Sequence, residues 1–360
     1  MADSGGHWKT LAEAQKLTQS LKIPGVFEED IKRNNPLDRM TVGQAAHTGL
    51  KIEWLREKPS AVAATEAAVT EIDIGEQLSW TDDVEYEEKE MTLRRAYIQR
   101  KLDHYVPGIY GTYNNYEARQ LLECEKALKR KLGARILYAD NTYTSSKQFD
   151  GLHALAAEHG TAYTAGSSND AKNIDGGEAG LGLSLLRVLI DEMKYGVDEL
   201  WAPYEIIRRM DAAYQEKGFA GLATGTAGNL GYLTMGFNEL GKRVMFWDAV
   251  PLIRTDYLVA EQANTGTGAS ADARALHSSG DKQYSIFAVK HGNVLNQEPG
   301  VTFAYGGTEG QGDLYKLVRF PELEDYDAGG LRIVTYGAVL LGSSLCLGRM
   351  WDIEDVAVTV

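Results

Sequence analysis

Two long extended segments constrain this chain more than anything else in it. Residues 49–57, GLKIEWLRE, alternate as a strand does, with Leu50, Ile52 and Trp54 on one side. An alanine-rich stretch from Pro59 to Val69 follows, and then Ile72, Ile74, Leu78 and Trp80. A second alternating run starts at Val84 and Tyr86 and continues through Met91 and Leu93. Two such segments joined by a bland tip predict a projecting hairpin. A lone two-stranded hairpin is marginal in water, so this one must lie on something. Its second half is strongly acidic: Asp82, Asp83, Glu85, Glu87, Glu88 and Glu90 stand against the single cation Lys89.

The remaining elements follow in order. Residues 1–43 read as an extended arm. Leu11, Ala14, Leu17 and Leu21 give it one short amphipathic helix, and Pro24, Gly25, Asn34, Asn35 and Pro36 then interrupt it. The clearest helix is predicted over 113–133, capped by Asn114 or Asn115. Its apolar stripe is Ala118, Leu121, Leu122, Leu128 and Leu132, and Gly133 serves as its stop. Its end is basic, with Lys126, Lys129, Arg130, Lys131 and then Arg135, which suits the negative end of the helix dipole. From Ser145 to about Ala328 the pattern is mixed α/β. Helices are expected over 180–195 and 203–217, the second opened by Pro203, and strands near 243–248, 284–290 and 301–305. Glycine-rich loops are expected at 218–231, 264–270 and 306–312. Residues 331–358 read as a long β segment kinked at Gly342–Ser344. There is no internal repeat.

Charge and motif content narrow the function. The net charge is −14, from 37 basic and 51 acidic residues. A protein that grips DNA gains affinity by setting Lys and Arg against phosphates, and on average this chain does the opposite. No apolar run approaches the roughly 20 residues of a membrane helix, and the N-terminus lacks the pattern of a secretory signal. The two cysteines, Cys124 and Cys346, allow one disulfide arithmetically but form no framework or zinc site. Gly236 to Lys242 has the spacing of a phosphate loop, but Arg243 stands where Ser or Thr must hold Mg²⁺, and the following VMFWDAVPLI reads as a strand. The Gly266–Gly268 run lacks the third glycine of a dinucleotide loop, and Gly342-Ser343-Ser344 is not a nucleophile elbow because Cys346 occupies the second glycine's position. The seven histidines form no ligand spacing and read as surface or locally hydrogen-bonded residues. Asp170, Asn173, Asp175 and Glu178 sit in a glycine-rich stretch that reads as a solvated loop more readily than as a calcium site. No catalytic, cofactor-binding or metal residue is singled out, and the chain does not read as an enzyme.

The order of parts carries a resemblance. YEARQLLECEKALKRKLGARILYAD (116–140), FDGL (149–152), GKRVMFWDAVPLIRTDYL (241–258), YSIFAVKHGN (284–293), GVTFAYGG (300–307) and the closing run from LVRFPELED to MWDIEDV resemble the major capsid proteins of tailed double-stranded DNA bacteriophages, with their HK97-like fold. That resemblance implies an α+β fold with four parts. These are an N-terminal arm (1–43), an extended E-loop hairpin (44–98), a peripheral domain with a long spine helix (99–144 and 329–360) and an axial α/β domain (145–328). It implies a non-enzymatic subunit that forms pentamers and hexamers of an icosahedral head. The expected partners are many copies of itself, a scaffolding protein, a portal and a decoration protein. The head encloses double-stranded DNA without sequence-specific binding, carries no cofactor and contacts no membrane. Assembly is expected in the host cytoplasm, with the chain ending in the virion. An encapsulin-like nanocompartment shell shares the fold and is the alternative; a soluble enzyme is a more distant one. The expected contact between copies sets Asp82, Asp83, Glu85, Glu87 and Glu88 of the hairpin against Lys126, Lys129, Arg130 and Lys131 of the next subunit's helix end, where complementary charge sets register more than affinity.

Overall fold

A computed structural model describes residues 32–46, 51–57, 69, 71–77, 86–104, 116–141, 147–157, 173–224, 233–237, 243–261, 282–307, 313–324 and 328–359. The helix expected at 11–21 and most of the glycine-rich loops lie outside these residues.

The described strands form a five-stranded sheet, a seven-stranded sheet and the two-stranded hairpin. The first sheet is organised by β13 (Ala328–Leu341). Along one side it pairs with β4 (Arg94–Asp103), from Ala328↔Asp103 to Gly337↔Arg94. On its other side lie β12 (Lys316–Phe320) and β11 (Val301–Gly307), and β1 (Thr41–Ala46) adds to β11 in parallel. The second sheet runs in the order β5 (Asn173–Ala179), β14 (Leu347–Glu354), β10 (Gln283–Val289), β6 (Glu199–Ala202), β9 (Val250–Arg254), β8 (Arg243–Trp247) and β7 (Leu233–Phe237). All seven residues of β10 are buried, as suits a strand covered on both faces.

The kink expected at Gly342–Ser344 is a single 3₁₀ turn, Ser344–Cys346. Ser343 Oγ accepts from the Leu345 N–H there, and the turn carries the chain from the first sheet into the second. The strands that flank the phosphate-loop spacing, β7 and β8, pair antiparallel, with Gly236 opposite Val244. β8 then turns directly into β9 through Asp248 and Ala249. Both have positive φ (48° and 64°), the geometry of a two-residue hairpin loop that matches the strand twist. Phosphate loops need a helix after the lysine, and here a strand follows.

The long helix α1 spans Tyr116–Tyr138, five residues beyond the stop expected at Gly133. Ala118 and Leu122 of the expected stripe are exposed; the buried row is Cys124, Leu128, Leu132 and Ile136, at regular steps of one turn. Gly133 is needed for another reason. A methyl group there would come within 2.2 Å of Asn35 Oδ1. Asn35 lies against the helix, donating from Nδ2 to the Lys129 carbonyl (2.9 Å) and to Tyr257 Oη (3.3 Å), while its Oδ1 caps the turn at Pro36–Asp38 by accepting from the Leu37 N–H (3.0 Å). Lys129 Nζ also pairs with Asp38 at 2.7 Å. Residues 33–34 are tied to the second sheet's rim: the Arg33 N–H donates to Asp256, and Thr255 Oγ1 donates to the Asn34 carbonyl. The arm thus straps α1 to the 254–257 segment. The FDGL segment performs a similar function at the helix end. The Gly151 N–H donates to the Ala139 carbonyl at 2.7 Å, Asp150 accepts from the Asn141 N–H, and Gly151 sits where a Cβ would strike the Arg135 and Ile136 carbonyls.

Two buried clusters result. One joins α1, Phe149, Leu152 and the core face of the first sheet, with Leu331 and Ile333 at its centre. The other packs α3 (Leu183–Glu192) and α4 (Tyr204–Thr224) on the second sheet through Leu186, Leu189, Ile206 and Met210. α2 (Leu152–Ala157) belongs to the first.

The strap makes a sign-changing prediction. Gly→Ala inside a helix normally stabilises by about 1 kcal/mol. Gly133→Ala is expected to lower the thermal midpoint instead, because it evicts Asn35. In an Asn35→Ala background the same change is expected to raise it. Differential scanning calorimetry of the four chains checks this; a stabilising Gly133→Ala in the parent chain contradicts the strap.

Candidate assembly surface

The hairpin consists of β2 (Lys51–Glu57) and β3 (Tyr86–Thr92), antiparallel and in continuous register from Lys51↔Thr92 to Glu57↔Tyr86. Strand alternation gives it two unlike faces. The inner row is half-buried: Ile52, Trp54 and Arg56 face Met91, Lys89 and Glu87. Ile52 and Trp54 pack on the first buried cluster, which supplies the support that an isolated hairpin lacks. At its far end Glu87 is held between Arg56 (2.8 Å) and Lys89 (2.7 Å). Burial alone would raise the Glu87 carboxyl, but the two cations outweigh it and hold the group below its ordinary value. The outer row is solvent-exposed apart from the half-buried Thr92: Lys51, Glu53, Leu55 and Glu57 face Thr92, Glu90, Glu88 and Tyr86, Lys51 pairs with Glu90, and Leu55 is 70% and Tyr86 66% exposed.

Of the residues expected at the contact between copies, Asp82, Asp83 and Glu85 lie outside the described residues. Glu88 is exposed on the outer row. Glu87 belongs to the inner row and is satisfied within the hairpin. On α1, Lys126, Lys129 and Arg130 are half-buried and Lys131 is exposed, while Lys129 is engaged by Asp38 of the same arm.

A buried polar junction escaped sequence reasoning. Arg349, with no exposed surface, donates to Glu261 (2.7 Å) and to Ser285 Oγ (2.9 Å), and Ser285 donates in turn to Glu261 (2.7 Å). His153 is wholly buried beside it, its ring 5.9 Å from that of Tyr138. Its burial rules out the surface position, one of the two expected for it. Burial, and secondarily Arg349, pushes the His153 pKa well below its ordinary value, so the ring is neutral. The junction joins the end of α1, α2, β10 and β14, and it is closed to solvent, so it offers no substrate access. The chemistry of the remaining groups is equally quiet. Both cysteines are buried and free, and burial pushes the Cys346 thiol up to about 11, far from thiolate reactivity. Among the described residues no group of three His, Cys, Asp or Glu could hold a metal ion. Asn173, Asp175 and Glu178 lie on β5, where Asp175 accepts from the Gly177 N–H and Glu178 donates its own N–H to Asp352. No helix of the described residues is long and apolar enough to cross a membrane.

Neither a family model nor a curated protein matches the sequence. Solved structures do match the fold. The encapsulin of Synechococcus elongatus PCC 7942, solved as a holo complex, superposes with a TM-score of 0.62 at 11% identity, covering 97% of each chain. The capsid protein of a native GTA particle gives 0.56 at 12% identity, over 96% of this chain and 98% of that one. The capsid protein of cyanophage P-SCSP1u gives 0.55 at 9% identity, over 94% and 93%. The fold is HK97-like. The α+β class expected of the resemblance is therefore the observed one, and the likeness covers 97% of the chain in the first of these matches.

The junction carries a pH prediction. His153 stays neutral when folded but takes a proton below about pH 6.5 when unfolded, so the unfolded state binds more protons there and stability falls as pH drops. The loss from that single group grows steadily as the pH falls through 6.5 and below. Chemical unfolding at pH 7.5 and 5.5 checks it: His153→Gln is expected to show a correspondingly smaller loss than the parent chain, and equal losses contradict the assignment.

Proposed function

We propose that this chain is the major capsid protein of a tailed double-stranded DNA phage. In this reading, copies associate into pentamers and hexamers and close into the icosahedral head of a virion assembled in the host cytoplasm. The observation that carries the reading is the fold itself, HK97-like over 97% of the chain, combined with a hairpin that leaves the large apolar side chains Leu55 and Tyr86 exposed. Closed shells form when heterologous contacts complete rings, and many modest contacts then hold by multivalency. The net charge of −14 suits a wall that stands beside packaged DNA without gripping it. A separate scaffolding protein, a portal and a decoration protein belong to the proposal as partners. The likeness to shells supports a structural role over an enzymatic one.

The two sheets suggest how to divide the molecule. The peripheral part is best drawn around the five-stranded sheet and α1, and the axial part around the seven-stranded sheet with α3 and α4. Strands 301–307 and 316–320 then belong to the peripheral part and 347–354 to the axial part, since hydrogen bonding defines the bodies more sharply than chain order. For the acid–base contact between copies, Asp82, Asp83, Glu85 and the exposed Glu88 supply the negative charge, and Lys131 meets it together with Lys126 and Arg130, while Glu87 and Lys129 are engaged within the subunit.

The match to an encapsulin favours a second reading, a nanocompartment shell enclosing protein cargo. Negative-stain electron microscopy of the purified chain, with and without a candidate scaffolding protein, tests both. Uniform closed shells are expected, and Lys131→Glu in the same assay is expected to lower their yield. Small discrete particles under every condition contradict a shell protein. Shells that recover a co-expressed enzyme and no nucleic acid from the host favour the nanocompartment.

A further inference from the structure

The FDGL segment and the short helix α2 behind it form a wedge where the two sheets meet. Residues 149 and 151–156 are all buried, although this stretch belongs to neither sheet. Its first residue serves the first sheet: the Phe149 ring meets that of Phe303 edge-on, with 6.1 Å between centres. Gly151 locks onto the end of α1 through its bond to the Ala139 carbonyl. α2 then packs on β14 of the second sheet, the strand that carries Arg349, and His153 is wholly buried there. One short stretch therefore holds both bodies at once, and its wholly buried ionisable side chain lies in the seam between them.

We infer that this wedge is an acid-sensitive joint: a proton on His153 drives residues 149–156 out of the seam while both sheets stay paired. The joint is a property of the single chain and does not depend on the assembly reading. Arg349 and Glu261 cancel, so the seam is neutral as folded. A second cation beside Arg349 leaves net charge in a region closed to solvent, where an uncompensated charge costs most. Opening removes that cost, because the ring then meets water. The other ionisable groups at the seam are Tyr138 and Asp140 at the end of α1 and Asp150 on the wedge itself. The state that binds the proton sets the sign. Burial, and then Arg349, keeps the folded His153 ring neutral well below the ordinary histidine value, whereas the exposed ring takes its proton near pH 6.5. Opening therefore gains as the pH falls through 6.5. Burial raises the Glu261 and Asp150 carboxyls, so these accept protons in the closed state and oppose opening closer to the carboxylate range. The joint works in the window between those two ranges. It stays local because α2 is a six-residue helix outside both sheets, while the strands beside it are paired along their length.

Hydrogen–deuterium exchange of the full chain at pH 7.5 and 5.5, corrected for the intrinsic rate and read peptide by peptide, tests it. In the parent chain the opening of residues 149–156 is expected to rise several-fold at the lower pH. The ceiling is about tenfold, set by one group that titrates near pH 6.5 when exposed. Peptides from β10 and β14 are expected to stay protected. His153→Gln, which carries no charge at either pH, is expected to abolish the rise. A parent chain whose wedge opens equally at both pH values overturns the inference, as does a rise that survives in His153→Gln. Equal loosening of the wedge, β10 and β14 overturns it too, since the sheets would then be opening as a whole. Should His153→Gln fail to fold, Ala156→Cys in the parent chain is alkylated at the two pH values, with each rate divided by that of the unfolded chain. A several-fold faster reaction at pH 5.5 is expected, and an equal or slower one overturns the inference.

Discussion

Strand β13 is the constraint on which the rest of the structure depends. Its ten-residue pairing with β4 on one side, and with β12 and β11 on the other, makes it the shared partner of the first sheet. One 3₁₀ turn later the same chain becomes β14, which pairs with both β10 and β5 in the second sheet. Neither sheet closes until residues 328–354 have been added, and most of their partners lie far away in sequence. Such non-local pairing makes formation slow relative to local helices. The bodies are therefore joined by continuous backbone and hydrogen bonds, with the buried Arg349 junction and the Asn35 strap as supplementary ties. A buried ion pair of this kind is weak evidence for stability, because desolvation offsets most of the attraction. Its geometry instead fixes how β14, β10 and the 261 segment meet.

The local elements were legible because their signals are local. The alternation of 49–57 and 84–93 gave a hairpin, and the observed pairing of 51–57 with 86–92 falls inside those bounds. Pro203 at the head of a helix and small residues at a strand kink acted as their chemistry dictates. Reading failed where a residue serves a distant partner. Gly133 looked like a helix stop, yet the glycine is required by Asn35 arriving from 98 positions earlier. Ala118 and Leu122 counted as stripe members by spacing, but the core lies on the row through Cys124. His153 carried no motif and its burial depends wholly on tertiary context.

The two rows of the hairpin divide its tasks. The inner row satisfies itself: Trp54 and Ile52 dock on the subunit, and the Arg56–Glu87–Lys89 cluster neutralises the charge that burial would penalise. The outer row keeps its acids and its two large apolar side chains exposed. Exposed carboxylates gain little from being in this chain, so the row is organised for something beyond it.

A cryo-EM reconstruction of the assembled particle tests this account most directly. The account predicts a closed shell in which residues 51–57 and 86–92 lie against another copy, with Leu55 and Tyr86 covered. A particle in which the outer row faces bulk solvent would contradict the account.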